Sequence, residues 1–322
     1  MKPGFHPRLL NGYFEDPCLY IRIPWERQAI LFDLGDLTRL NPTEICRVGH
    51  VFVTHTHIDH FIGFDVILRA ILRRDAPLHI YGPSNITACV EGKLRGYAWN
   101  LIKEYPTVIH VFAYNGRTLF HSVFRAENSF RKEPVGRVDS GGVLLRTPMF
   151  SVTAAKLDHD IPCLAFAAEE EFHINIDKDL LQKKGLAVGP WLTEFKKIIR
   201  EGHSMEGVLQ IGGKTYSAGM LMDIARITKG HKISYATDIG MGRKNISLLT
   251  SLVKGSDIFF CEAYFLEKDR ERALERHHLT ARTCGAIAKK AGVRKLELMH
   301  FSPKYRDCPE QVIKEAFGEF NG

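Results

Sequence analysis

The seven cysteines of this chain (Cys18, Cys46, Cys89, Cys163, Cys261, Cys284 and Cys308) include no C-x-x-C pair. An odd, scattered set argues against both a disulfide framework and a zinc ribbon, and suits a reducing compartment. No run of about eighteen apolar residues occurs, so no helical membrane span is expected. The opening Met1-Lys2-Pro3-Gly4-Phe5-His6-Pro7 has no apolar signal core, so the expected location is the cytoplasm. Fixed-period repeats, low-complexity tracts and Gly/Ser- or Pro-rich linkers are also missing. What remains is 322 residues, 45% hydrophobic and 25% charged, enough for one large globular domain.

The formal charge of +7 is compatible with a polyanionic partner and is weak evidence alone. Short apolar runs alternate with amphipathic stretches. The runs predict strands over Cys18–Ile23, Ala29–Phe32, Val48–Thr54, Leu78–Tyr81, Val108–Ala113, Phe150–Leu157, Cys163–Ala168, Lys232–Thr237, Asp257–Cys261 and Lys295–Met299. Helices are predicted over Gly63–Arg74, Leu180–Lys184, Gly189–Arg200, Asn245–Lys254, Thr280–Ala291 and Glu310–Phe320. Such a mixture implies a layered α/β domain. Two polar stretches, 115–148 and 169–213, stand out as excursions from that single domain. The plainest reading of their lysines and arginines is solvated surface.

One segment carries chemistry. After the apolar Val51-Phe52-Val53 come His55-Thr56-His57-Ile58-Asp59-His60, three histidines and an aspartate within six residues. On extended backbone His55 and His57 project together toward one ion, and Asp59 and His60, past a turn, point at a neighbouring one. Imidazole and carboxylate are ligands that zinc accepts in an open catalytic site. A metal-free histidine cluster is the bland alternative. Four ligands cannot complete two sites, and three more candidates each close a strand-like run: His159, Asp238 and His300. Ligands at several strand ends converge along one rim of a sheet. Asp238 is the natural bridge, because its two oxygens can each hold an ion. Asp33 also ends a strand and is read as orienting a ligand imidazole, with a simple turn residue an equal alternative.

With these residues in place, the sequence resembles the metallo-β-lactamase superfamily, and within it ribonuclease Z, the tRNA 3′-processing endoribonuclease. The metal motif matches at His55 to His60, and the later family motifs at His159, Asp238 and His300. Cys261-Glu262-Ala263-Tyr264 resembles the family's H-E-A-T loop, with cysteine for the histidine. His278-Leu279-Thr280-Ala281 resembles its H-S-T loop, and Leu298-Met299-His300-Phe301-Ser302-Pro303-Lys304-Tyr305 its L-T-H-F-S-x-R-Y segment. Lys184-Gly185-Leu186-Ala187-Val188-Gly189-Pro190 resembles the glycine–proline part of a tRNA-gripping arm.

The resemblance implies an αββα sandwich with a dinuclear metal site on one rim. It implies two Zn²⁺ per chain, with Mn²⁺ as an alternative. With ligand counting, it assigns His55, His57, His159 and Asp238 to one ion and Asp59, His60, Asp238 and His300 to the other. Asp59 would accept the proton of an attacking water, and Glu262 would hold His278 as the proton donor to the leaving oxygen. His277 is a rival donor, and a strand cap at Glu262 with a helix start at His278 is the bland reading. The implied substrate is a tRNA precursor, cut to leave a 3′-hydroxyl, and the implied assembly is a homodimer. Lys183, Lys184, Gly189, Pro190, Lys196 and Lys197 would contact RNA. The competing reading keeps the same metals and takes a small phosphodiester, lactone or thioester. A non-catalytic relative is disfavoured, because no ligand position is lost.

Overall fold

A computed structural model describes residues 4–24, 27–202 and 207–322. It divides into two compact units. The larger comprises Phe5–Leu145, Val152–Ala168 and Lys232–Gly322, and the smaller comprises Met1–Gly4, Arg146–Ser151 and Glu169–His231.

The chain begins with eight strands that lie side by side in sequence order: β1 (His6–Leu9), β2 (Leu19–Ile23), β3 (Gln28–Phe32), β4 (Val48–Phe52), β5 (Leu78–Pro83), β6 (Val108–Tyr114), β7 (Thr118–Arg125) and β8 (Lys132–Asp139). The central pairs, β3 to β6, run parallel. β9 (Val143–Arg146), β10 (Phe150–His159) and β11 (Ile161–Glu170) open a second sheet. The smaller unit supplies β12 (Phe172–Ile176), β13 (Val208–Ile211), β14 (Lys214–Ser217) and β15 (Ala225–Lys229), paired as β12–β15 and β13–β14. The chain then returns as β16 (Lys232–Ala236), β17 (Ile258–Glu262) and β18 (Leu296–Met299), and the second sheet reads β18-β17-β16-β11-β10-β9.

Alternation along the strands decides what lies between the sheets. In β3, Phe32 packs its ring 5.3 Å from Phe166 of β11 and 5.7 Å from Tyr235 of β16, so this side faces the second sheet. Its neighbour Leu31 joins Val51, Ile80 and Val111 in a core completed by Phe64, Ile67 and Ile71 of the helix Phe64–Ile71. The second sheet repeats the arrangement, with Phe259 and Leu298 packed against Leu249, Ile287 and Val312 of three helices. The layers are therefore helix, sheet, sheet, helix, and strands buried on both faces read as continuous apolar runs.

Each expected strand and helix has an observed counterpart, with ends shifted by a few residues. Residues 115–148 differ from a solvated loop. They hold β7, β8 and β9, although β8 is exposed on nearly every residue and so gave no apolar signal. In the second excursion the helices run Lys178–Lys183 and Trp191–Arg200, and the unit continues past residue 213 to His231. Its own core includes Trp191, Phe195, Leu209 and Leu221. Buried Arg200 pairs with Glu170 at 3.1 Å within it.

Candidate metal centre

The site lies wholly within the larger unit. Parallel strands β3 and β4 of one sheet, and β16, β17 and β18 of the other, deliver residues at their carboxyl ends. Asp33 follows β3, His55 follows β4, Asp238 follows β16, Glu262 ends β17 and His300 follows β18. His159 ends β10. Asp33, Asp238 and His300 take left-handed backbone, with φ of 61°, 56° and 53°. That conformation is costly without glycine and persists only where surrounding contacts enforce it.

The histidine-rich segment is bolted to the end of β3. His60 O accepts from Leu34 N at 2.9 Å, and Gly63 N donates to Leu34 O at 2.8 Å. Gly63 permits this close approach, since a Cβ there would stand 2.4 Å from Gly35 O. Four groupings of side-chain donors result: His55, His57 and His159; His55, His60 and Asp238; Asp59, His60 and His300; and Asp238, Glu262, His278 and His300. All seven expected ligands are thus gathered, and Asp238 touches both halves. Its Oδ1 is 3.5 Å from His159 Nε2, and its Oδ2 is 3.1 Å from His60 Nε2 and 3.4 Å from His300 Nδ1.

The donor set fits a metal by its tautomers. Asp33 is buried and accepts from His60 Nδ1 at 2.9 Å, as well as from Thr54 N and the Tyr235 hydroxyl. A carboxylate only accepts, so His60 carries its proton on Nδ1 and turns a lone pair of Nε2 into the cluster. That Nε2 is buried without a hydrogen-bond partner, between carboxylate oxygens of Asp59 and Asp238 at 3.3 and 3.1 Å. A lone pair between carboxylates is repulsive until a cation stands among them. His159 is set the same way, its Nδ1 donating to His277 O at 2.8 Å. Thr54 and Thr237 donate their hydroxyl protons to Asp33 and Asp238. Their oxygens then accept from His55 Nδ1 at 3.0 Å and His300 Nδ1 at 3.1 Å. Four imidazoles are therefore held ready to bind through Nε2. His55 Nε2 and His57 Nδ1 converge to 2.9 Å.

Charge tells the same story. Burial pushes the His55 pKa down to about 2, with His60 adding to the effect. Burial opposes protonation of His300 too, but Asp238, Asp59 and Glu262 overcome it and raise its pKa to about 10. Burial likewise raises the Asp238 carboxyl, yet His300 and His60 drive it well below its ordinary value. The carboxylates of Asp238, Asp33, Asp59 and Glu262 thus favour positive charge at His60 and His300, which a bound cation would supply.

Glu262 and His278 form a pair at the edge of this cluster. Glu262 is fully buried, with Oε2 2.9 Å from His278 Nδ1 and Oε1 accepting from Ile239 N and Leu279 N. Burial raises its pKa, His278 lowers it, and the net is a pKa of about 2. His277 lies beside it with no such carboxylate partner among the described residues, its carbonyl spent on His159. Tyr264 stacks on His278 with ring centres 3.8 Å apart and planes 7° from parallel.

Sequence reasoning missed Thr54, Thr237, Tyr235 and Tyr264. The two threonines had a visible signal, since each immediately precedes a candidate ligand. The lysines of the excursion belong to the smaller unit. Lys184 pairs there with Asp223 at 3.0 Å and Lys197 with Glu201 at 3.8 Å. Lys196 is half-buried, and burial lowers its pKa. Lys183 is exposed, Pro190 caps the helix Trp191–Arg200, and Gly189 packs beside Trp191.

No protein-family model matches the chain. Among solved structures, a metallo-β-lactamase-fold protein of Bacillus subtilis superposes with a TM-score of 0.58 at 15% identity, covering 98% of this chain and 95% of that one. The chain has the metallo-β-lactamase fold. Human tRNase Z, short form, shares that fold with a TM-score of 0.53 at 18% identity, over 94% of this chain and 92% of that one. In sequence the chain resembles ribonuclease Z. The protein of that name from Deinococcus radiodurans is 27% identical over 291 residues, 89% of this chain and 86% of its own length. That from Treponema denticola is 28% identical over 306 residues, 91% and 86% of the two chains.

Proposed function

We propose that this chain is a zinc-dependent endoribonuclease that removes the 3′ trailer of tRNA precursors and leaves a 3′-hydroxyl. The observation that carries the reading is the His278–Glu262 pair set against Asp238, 3.7 Å from His278 Nδ1. A ribose 3′-oxygen is a poor leaving group and needs a proton as it departs. Glu262 occupies His278 Nδ1, so Nε2 is the atom that delivers that proton. Tyr264, stacked on the ring, fixes the plane in which it does so. The curated relatives named ribonuclease Z supply the choice of RNA.

His55, His57, His159 and Asp238 would hold one ion, and Asp59, His60, Asp238 and His300 the other. When bound, such ions stabilise charge on the transferring phosphoryl oxygens and lower the pKa of water toward about 7. Asp59, whose side chain is 36% exposed, would take a proton from the attacking water. Asp33 orients His60 through the 2.9 Å bond to Nδ1. Lys183, Lys184, Lys196 and Lys197, with the Gly189-Pro190 turn, would grip the RNA backbone. Lys184 and Lys197 must then exchange their carboxylate partners for phosphates. The protein would act in the cytoplasm as a homodimer.

Purified protein incubated with a 3′-extended precursor tRNA and with bis(p-nitrophenyl) phosphate, with and without chelator, tests the proposal. Chelator-sensitive cleavage at the tRNA 3′ end is expected. Chelator-sensitive hydrolysis of the small diester alone would reject the RNA reading in favour of a small-substrate hydrolase.

A further inference from the structure

The larger unit holds a cavity of about 720 Å³ beside the ligand cluster. Its floor is backbone that carries a ligand, because Asp158 and Asp160 on its lining flank His159. Buried Asn245 closes the back. It accepts from Asp158 N at 3.0 Å and donates to Asp158 O at 2.7 Å and Gly240 O at 2.9 Å. The two loops bearing His159 and Asp238 are thereby tied together. His277, whose carbonyl fixes His159, forms another part of the wall. The lining thus holds chain neighbours of His159, Asp238 and His278 and none of those three residues, and the reaction as argued above makes no use of it.

Its lining mixes three chemistries. Lys156 and Lys244 are exposed, and neither has an ion-pair partner among the described residues. Ile161 and Met241 offer apolar surface. Asp158 and Asp160 are carboxylates on the same lining. Carboxylates repel a bare anion but accept hydrogen bonds from ribose hydroxyls and base amino groups. Free ammonium groups attract phosphodiesters, and apolar walls take a base. All three together suit a nucleotide within a chain better than an isolated phosphate.

We infer that this cavity seats a nucleotide of the RNA chain next to the cleaved phosphodiester, with Lys156 and Lys244 contacting its phosphates. The inference rests on the RNA-cleaving reading above. It is tested by cleavage of a 3′-extended precursor tRNA over a range of salt, comparing wild type with Lys156→Ala/Lys244→Ala. The double variant should lose about tenfold in kcat/KM, carried mainly by KM, and its salt slope should fall by about 1.4, roughly 0.7 for each single-strand phosphate contact. A Lys103→Ala/Lys314→Ala variant removes the same charge from exposed positions outside the cavity and should lose less. An unchanged KM and slope, or an equal loss in that second variant, would overturn the assignment while leaving the RNA reading in place. A wild type that hydrolyses bis(p-nitrophenyl) phosphate but leaves the precursor intact would reject the RNA reading, and the cavity assignment with it.

Discussion

His278 and Glu262, sixteen residues apart in sequence, meet at 2.9 Å through Nδ1 and Oε2, with the carboxylate fully buried. A buried carboxylate that also accepts two backbone N–H groups stays ionised, and it holds the ring through Nδ1 with Nε2 left for the leaving oxygen. His278→Ala should therefore cost about 10²–10⁴-fold in cleavage of precursor tRNA. On bis(p-nitrophenyl) phosphate, whose leaving group hardly needs a proton, the loss should be far smaller. Equal losses on the two substrates would show that the ring is structural.

Replacing the carboxylate tests a different property. Glu262→Ala strands the N–H groups of Ile239 and Leu279 without their acceptor. Each buried group left unsatisfied costs about 1–3 kcal/mol. Denaturant unfolding should show that loss for Glu262→Ala, and a much smaller one for Glu262→Gln, which keeps an acceptor oxygen. Both variants should be slow on RNA.

Metal should be visible apart from activity. Elemental analysis is expected to find two divalent ions per wild-type chain and fewer in Asp238→Ala, which loses the residue common to both halves. Chelation should lower the thermal midpoint, and added zinc should restore it, because a ligand bound only by the fold stabilises it by mass action. Metal-free protein with an unshifted midpoint would count against the assignment.

Outside the site, rings of His50, His79 and His110 stack across β4, β5 and β6 at 4.8 and 4.9 Å, and His110 Nδ1 reaches His121 Nε2 of β7 at 2.9 Å. Burial, then His79 and Arg74, holds the His50 pKa down to about 3 from its ordinary 6.5. Burial, then His79, His121 and Arg125, holds His110 at about 4. Both rings are neutral in the fold, whereas the unfolded chain takes up protons as pH falls through 6.5. Stability from the ladder is thus complete above about pH 6.5 and declines below it, by up to about 1.4 kcal/mol per pH unit for each such histidine. Unfolding measured from pH 7.5 to 4.5 should show a shallower acid decline in His50→Phe/His110→Phe than in wild type. Parallel curves would exclude the ladder as the cause.

Among the lysines of the smaller unit, Lys183 has no carboxylate partner among the described residues, whereas Lys184 and Lys197 have theirs. If the unit grips RNA, replacing Lys183, Lys184, Lys196 and Lys197 by alanine should weaken precursor binding and flatten its salt dependence. Filter binding at several salt concentrations measures both. Lys183→Ala alone should account for more of the change than Lys197→Ala alone.

Local pattern alone made much of this protein legible. Ligand types and spacing over His55–His60, and the habit of His159, Asp238 and His300 of closing apolar runs, are properties of short windows. So is the alternation of strands and helices that requires layers. Strand ends converge for a topological reason that holds for any parallel sheet, which is why distant residues can be grouped from sequence alone. Tertiary structure decided the rest. β8 is exposed on nearly every residue, so no apolar period could announce it. Which ring nitrogen carries the proton depends on partners far along the chain, such as Asp33 for His60 and the His277 carbonyl for His159. The fate of the lysines was equally hidden, because a charge in sequence looks the same whether free or matched. Only folding places Asp223 beside Lys184, and only folding puts the ring of Tyr264 on His278.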